Sequence, residues 1–274
     1  MGQANEKRRE QLDFALELAR AAEEAIMPHF RTAVVEYKGD GSEVTAADRA
    51  AERAIRERIA GVYPGAAILG EEFGGEAGPV SGEQWVIDPI DGTTSFVLGL
   101  PMFGTLIALL EDGQPVVGVI HMPAMGETVY AGRGLGCWFA HSGGQAVQVR
   151  AAREVELQEA FASSTGAHSS DIQHQAAQTP YRLAALINAT KKFRFVGDCV
   201  QHALVCRGRL HLAVDTLMNP WDTAALVPCV REAGGAAATL EGNEDAVVFG
   251  GNFISACSPA LLHEALAVLS PVQK

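Results

Sequence analysis

A two-part mixed fold is predicted for this chain of 274 residues, an α+β unit followed by a smaller α/β unit, and three patterns predict it. Helical spacing of apolar residues dominates the N-terminal region. Glycine-punctuated apolar runs of strand length continue from there to about residue 150. From 151 onward, strand-like and helix-like segments alternate. The parts are therefore placed at 1–150, two helices and a mostly antiparallel sheet, and at 151–274. No Pro/Ser-rich linker, repeat or low-complexity tract separates them, so they are expected to pack closely.

Leu12, Ala15, Ala19, Ala22, Ile26 and Phe30 recur at spacings of three and four and mark a long amphipathic first helix. Thr32 to Tyr37 is β-rich and precedes the loop Lys38-Gly39-Asp40-Gly41-Ser42. Ala47, Ala51, Ile55 and Ile59 share one face of a second helix. Its start, Thr45-Ala46-Ala47-Asp48, has the spacing of a capping box with Asp in place of Glu. Ala66 to Leu69 is a short strand that ends at Gly70-Glu71-Glu72. Trp85 to Asp88 is a second strand, which Pro89 is expected to stop, because proline lacks the N–H a central strand needs. Phe103–Leu110 and Pro115–His121 flank Glu111-Asp112-Gly113-Gln114, a hairpin signal. Short strands continue through Tyr130, Trp138 and Val147, and the run Gly132-x-Gly134-x-Gly136 reads as a hairpin turn rather than a dinucleotide fingerprint.

In the second part the expected strands are Ala160–Ser163, Lys192–Val196, Leu210–Asp215, Ala236–Leu240 and Phe253–Cys257. The expected helices are Asp171–Asn188, Asp198–Cys206, Asp222–Ala233 and Pro259–Leu269.

An apolar fraction of 48% is that of an ordinary globular protein. The net charge of -12 argues against a nucleic-acid partner, which would require a basic face. Five cysteines without C-x-x-C spacing read as reduced, buried thiols. No apolar segment reaches membrane-spanning length, and the N-terminus has no apolar signal core, so a soluble cytoplasmic protein is expected. The eight histidines include no paired metal-ligand spacing. His202 and His211 are core or rim residues, with His202 a candidate for the pocket wall.

The chemistry is concentrated in Asp88-Pro89-Ile90-Asp91-Gly92-Thr93-Thr94-Ser95. Two carboxylates at a strand end repel each other unless cations sit between them. Gly92, Thr93 and Thr94 follow at a helix start, where free backbone N–H groups can cradle phosphate. Hard-cation ligands beside an anion cradle suggest metal-assisted phosphate chemistry. Two further acidic sites fall where strands end or helices begin: Glu71-Glu72, and Asp222 in Asn219-Pro220-Trp221-Asp222-Thr223-Ala224-Ala225. Taken singly, each has a plainer explanation as a helix cap, a solvated turn or an Asx turn.

Together these segments resemble the inositol monophosphatase superfamily of Mg²⁺-dependent, lithium-sensitive phosphatases. The resemblance runs from Val44-Thr45-Ala46-Ala47-Asp48 through the Gly-Glu-Glu turn and the Asp-Pro-Ile-Asp-Gly-Thr-Thr run to Trp-Asp-Thr-Ala-Ala and Glu232-Ala233-Gly234-Gly235. It implies a layered αβαβα sandwich and, in many members, a homodimer whose partner chain reaches the substrate pocket. It implies two or three Mg²⁺ ions held by Glu71, Asp88, Asp91, Asp222 and the carbonyl of Ile90. It also implies a water held and deprotonated by Glu71 and Thr93, with Asp48 supporting the threonine hydroxyl. Phosphate would rest on the amides of Gly92, Thr93 and Thr94. A non-catalytic family member would lack one of these groups, and all are present.

Within the superfamily, Gly197-Asp198-Cys199, the Phe103–Leu110 strand and Ala224-Ala225-Leu226-Val227-Pro228 resemble histidinol-phosphate phosphatases. Asp198 and Asp215 would place negative charge near the leaving group, which suits an ammonium and an imidazole better than a neutral polyol. Thr94 departs from that type, since its Gly-Thr-Thr is the form of the inositol group. The expected substrate is thus a small phosphate monoester, histidinol phosphate first and an inositol or sugar phosphate second.

Overall fold

The computed structural model describes residues 2–37, 39, 43–173 and 181–270. Helix α1 (Gly2–Ile26) carries the expected stripe, with Leu12, Ala15, Ala19, Ala22 and Ile26 all buried. A two-stranded ribbon follows, β1 (Val35–Tyr37) against β2 (Glu43–Thr45). Of the loop expected at 38–42, only Gly39 lies within the described residues. Thr45 then caps α2 (Ala46–Val62), and the Asp48 carboxylate accepts from the Thr45 N–H at 2.8 Å, completing the box.

The large sheet is built in sequence order. Its strands are β3 (Ala67–Gly70) and β4 (Glu83–Asp91), then, after the short helix α3 (Thr93–Val97), β5 (Gly104–Glu111) and β6 (Gln114–Met122). β7 (Glu127–Gly132), β8 (Gly136–His141) and β9 (Val147–Val149) complete it. Only β3 lies parallel to its neighbour; the other pairs are antiparallel. The hairpin turns at 112–113 and 133–135 fall where the sequence places them. The second of these is anchored, since the Glu232 carboxylate accepts from Gly134 N–H at 2.8 Å and Gly136 N–H at 2.9 Å.

One strand end differs from the expectation. β4 does not stop at Asp88 but continues to Asp91, and the register shifts between these residues. Asp88 faces Leu106 and Asp91 faces Gly104, so Pro89 occupies the irregular stretch where no ladder N–H is demanded. Its carbonyl accepts instead from Thr105 Oγ1 at 2.8 Å.

The second part contains β10 (Phe161–Ser164), α4 (Leu183–Ala189), β11 (Lys192–Arg194), α5 (Asp198–Cys206) and β12 (Leu212–Asp215). After these come α6 (Pro220–Ala224), α7 (Leu226–Glu232), β13 (Ala236–Ala238), β14 (Phe253–Ala256) and α8 (Pro259–Leu269). The five strands are ordered β11-β10-β12-β14-β13, with β10 parallel to both neighbours and β14 antiparallel to both of its own. Two expected helices are corrected. The helix placed at Asp171–Asn188 begins only at Leu183; residues 174–180 of that span lie outside the described residues. Asp171 serves the helix from without, its carboxylate accepting from Ala184 N–H at 2.9 Å. The helix placed at Asp222–Ala233 is two helices, α6 and α7, broken at Ala225. Pro228 lacks the N–H that would bond the Ala224 carbonyl in a continuous helix.

Alternation along the strands sets the layers. Trp85, Ile87, Ile107, Leu109, Val117 and Val119 face α1 and α2. From the opposite face Val86, Leu106, Ala108 and Ile120 meet Ala203 of α5 and Leu226 and Cys229 of α7. The small sheet covers α5 and α7 on their far side and packs its own outer face on Leu261 and Leu262 of α8 and Leu183 and Leu186 of α4. The result is an αβαβα sandwich. All five cysteines are free and buried, as expected, and no helix among the described residues is long and apolar enough to cross a membrane.

The region around α7 lies directly on the large sheet at Gly118 of β6. A Cβ added there would stand 2.2 Å from the Ala225 carbonyl oxygen and 2.7 Å from Pro228 Cγ. Backbone cannot yield as a flexible side chain does, so Gly118→Ala is expected to destabilise the fold by about 2 kcal/mol or more. Urea unfolding should show a lower midpoint at unchanged slope; an unchanged midpoint would contradict this packing.

Candidate active site

The acidic residues converge because strand ends and one helix start meet at a single edge. Parallel pairing of β3 with β4 sets Gly70 opposite Ile87, and the Glu71 N–H donates to the Ile87 carbonyl at 3.2 Å. Glu71 therefore leaves its strand beside Asp88 and Asp91. Gly92 then turns the chain with φ of +88° into α3. From the second part, Asp222 stands in the first turn of α6, held there by the Asn219 N–H, which donates to its carboxylate at 2.7 Å.

Carboxylate oxygens of Asp88, Asp91 and Asp222 lie within 4.8 Å of one another. Asp88 is 2% exposed, Asp91 9%. Burial pushes both carboxyls well above the usual carboxylate range, with the charges of Glu71, Asp91 and Asp222 adding to it at Asp88, and those of Asp198 and Asp222 at Asp91. Asp222 is raised to about 7, by burial first and then by Glu71. One oxygen of Asp88, Oδ1, is buried without a hydrogen-bond partner. A cluster of hard anionic oxygens, one of them orphaned, fits a divalent cation of the Mg²⁺ or Ca²⁺ type and disfavours a soft metal.

Around this centre lies a cleft of about 200 Å³ whose walls include Glu71, Gly92, Thr93, Asp198, Asp215 and Trp221. Thr93 Oγ1 donates to the Ile90 carbonyl at 3.0 Å, so the expected water-holding hydroxyl and the expected metal-ligating carbonyl are bonded to each other. Thr94 Oγ1 donates to Glu43 at 2.6 Å. Asp48 is fully buried behind the turn, and burial raises its carboxyl. Its Oδ2 accepts from the N–H and hydroxyl of Thr45, while Oδ1 has no partner. The helix-capping role is thus present, and the Thr93 hydroxyl is directed to Ile90 rather than to Asp48.

The two acids expected near the leaving group differ in what they offer. Asp198 faces the cleft, raised to about 7 by burial and by the charge of Asp215, with a bond from Ser95 opposing this. Asp215 is 4% exposed and accepts from Gln201 Nε2 and His202 Nε2, each at 2.7 Å. His202 is not in the cleft wall; it is fully buried, its second ring nitrogen bonded to Ser255 Oγ at 2.8 Å. Sequence reading missed Thr165, Leu217 and Met218, which also line the cleft. For Thr165 the signal was available: it follows directly on a strand, and a strand end is what placed Asp88.

A layered sandwich with a cluster of hard oxygen ligands beside a Gly-Thr-Thr turn defines a metal-dependent phosphatase. The sequence profile of the inositol monophosphatase family matches residues 7–271. The chain belongs to that family. It is 39% identical over 247 residues to a histidinol-phosphatase of Chlorobaculum parvum, covering 89% of this chain and 91% of that one. A fructose-1,6-bisphosphatase/inositol-1-monophosphatase of Thermotoga maritima is 35% identical, with 93% of each chain covered. Among solved structures, an IMPase of Thermotoga maritima superposes with a TM-score of 0.80 at 33% identity, covering 95% of this chain and 96% of that one.

The raised carboxyls predict how cation binding depends on pH. A carboxyl lifted from 3.8 to about 7 on folding, as in Asp222, makes the metal-free native state bind more protons than the unfolded chain. Stability from that group therefore falls as pH rises across this window. Cation binding displaces those protons, so the rise in Tm on saturation with Mg²⁺ should be larger at pH 8 than at pH 6. Thermal melts at both pH values check this; an equal or smaller rise at pH 8 contradicts it.

Proposed function

We propose that the protein is a Mg²⁺-dependent phosphomonoesterase of small molecules, with histidinol phosphate as its substrate. The observation that carries the substrate reading is the charge of the cleft. Six carboxylates line it (Glu71, Asp88, Asp91, Asp198, Asp215 and Asp222), and its described lining contains no lysine or arginine. A phosphate ester enters such a cleft only with cations, and a leaving group that carries its own positive charge gains from the acids the metals leave free. Similarity to the histidinol-phosphatase of Chlorobaculum parvum supports the same reading.

Glu71, Asp88, Asp91, Asp222 and the Ile90 carbonyl would hold two or three Mg²⁺ ions. When bound, these supply Lewis-acid charge for the phosphoryl oxygens and lower the pKa of water. Backbone N–H groups of Gly92, Thr93 and Thr94 would hold the phosphate. Glu71 takes the proton of the attacking water and Thr93 orients that water, which requires its hydroxyl to turn from Ile90. Asp48, which has an unused buried oxygen, would receive that hydroxyl once it turns. Asp198 meets the cationic part of the leaving group, and Asp215 stands behind it in the wall. No covalent phosphoenzyme enters this scheme, since water is the nucleophile.

A second reading, an inositol or sugar phosphatase, is favoured by one feature. Thr94 retains the Gly-Thr-Thr turn of the inositol group, and its hydroxyl is bonded to Glu43 in the ribbon beside the cleft.

A phosphate-release panel tests both readings. With Mg²⁺, histidinol phosphate should be hydrolysed faster than inositol 1-phosphate, fructose 1,6-bisphosphate or adenosine 3′,5′-bisphosphate, and chelation should abolish release. Preference for inositol 1-phosphate would replace the first reading by the second. Asp91→Asn and Asp222→Asn should each lower kcat by about 100-fold or more, as expected where cation binding is impaired; full activity in either would remove that residue from the ligand set.

A further inference from the structure

The Gly197–Asp198 turn holds an unusual conformation. Gly197 has φ of +97° and Asp198 has φ of +48°, in the left-handed region that a side chain other than glycine rarely adopts. Asp198 also presses close to the phosphate turn: a Cβ on Gly92 would stand 2.8 Å from Asp198 Oδ2. A charged residue held in such a backbone needs surroundings that fix it.

Those surroundings form one continuous hydrogen-bonded chain from the interior of the small sheet. Ser255, on β14, is bonded through Oγ to His202 Nδ1 at 2.8 Å. His202 Nε2 donates to Asp215 Oδ2 at 2.7 Å, and Gln201 Nε2 donates to the same oxygen at 2.7 Å. Gln201 uses its amide a second time, donating to Thr165 Oγ1 at 3.0 Å. Thr165 Oγ1 accepts in turn from the Asp198 N–H at 2.7 Å. Gln201, His202 and Ser255 are all fully buried, and none of them lines the cleft.

We propose that Gln201, backed by His202 and acting through Thr165, is a positioning residue that sets selectivity for a cationic leaving group. It does so by fixing Asp198 in its left-handed turn. This rests on the substrate reading above and adds to it where that selectivity is held: in a buried amide rather than in a residue that touches substrate. Gln201 contacts none of the reacting groups; loss of its amide loosens the Asp198 turn, while Asp215 stays held by His202 Nε2 at 2.7 Å and by the Thr165 N–H at 3.3 Å.

Kinetics on the Mg²⁺-loaded enzyme with histidinol phosphate and inositol 1-phosphate provide the test. Gln201→Leu should raise KM for histidinol phosphate about 10-fold, the loss expected for a charge-assisted contact, while kcat and the KM for inositol 1-phosphate change less than about 3-fold. Thr165→Ser, which keeps the hydroxyl that accepts from Gln201 and from the Asp198 N–H, should retain wild-type selectivity. In an Asp198→Ala background, Gln201→Leu should produce no further loss of selectivity, because its effect passes through Asp198. A Gln201→Leu enzyme that keeps the wild-type preference, or loses activity equally on both substrates, overturns the inference and leaves the substrate reading standing. A wild-type enzyme indifferent to leaving-group charge overturns the substrate reading, and the inference with it.

Discussion

Mutual repulsion among buried carboxylates is the constraint around which the site is arranged. Asp88, Asp91 and half-buried Asp222 bring oxygens within 4.8 Å of one another, the first two in an interior that hydrates them poorly. At such separations a pair of unit charges repels by roughly 3–4 kcal/mol at an effective dielectric near 20. Side chains free to move would separate. They do not, because two are fixed at the end of a central strand and the third sits in the first turn of a helix whose entry is tied by Asn219. The scaffold holds the acids together, so that the ligands proposed for a cation are already placed, and the unpartnered Asp88 oxygen fits that arrangement.

Holding the acids in this way makes the two parts of the chain dependent on each other. Asp222 belongs to the second part and the other proposed ligands to the first, so the acidic cluster exists only while the layers are packed. Two features secure that packing. Gly118 lets α7 lie directly on β6, and the Glu232 carboxylate grips two amides of the β7–β8 turn. A further bond crosses at the site, where the Cys199 N–H donates to Asp91 at 2.5 Å. The turn that presents Asp198 is thereby fastened to a residue of the proposed cation centre.

Much of this was legible in the sequence because it is encoded locally. The stripe on α1, the capping box at Thr45 and the Asp-Gly hairpin each rest on residues close together in the chain. The acids at strand ends were legible for the same reason. The departures arose where a distant partner decides. Pro89 remains within its strand because Thr105, on β5, receives its carbonyl and the register shifts around it. Asp171 lies outside the helix it was expected to begin, yet bonds its first turn. His202 was a candidate for the pocket wall, but on α5 it points inward to Asp215 and Ser255. Pro228 was a local signal and a fair warning of the break between α6 and α7.

The site also divides its tasks along the chain. The groups proposed for cation binding, phosphate binding and water activation lie mainly between Glu71 and Thr94, on strand ends and one turn of a rigid sheet. The groups proposed to meet the leaving group lie on a turn and a strand end of the small sheet, Asp198 in a strained backbone and Asp215 in a buried network. Asp222, the Cys199–Asp91 bond and the contact of Asp198 with Ser95 and Gly92 join the two sets. Chemistry that needs sub-ångström placement belongs on the stiffer element, while recognition of a leaving group tolerates a turn whose hydrogen bonds can be rearranged. A phosphatase built this way can change the ester it prefers through the second part, with the hydrolytic machinery of the first left as it is.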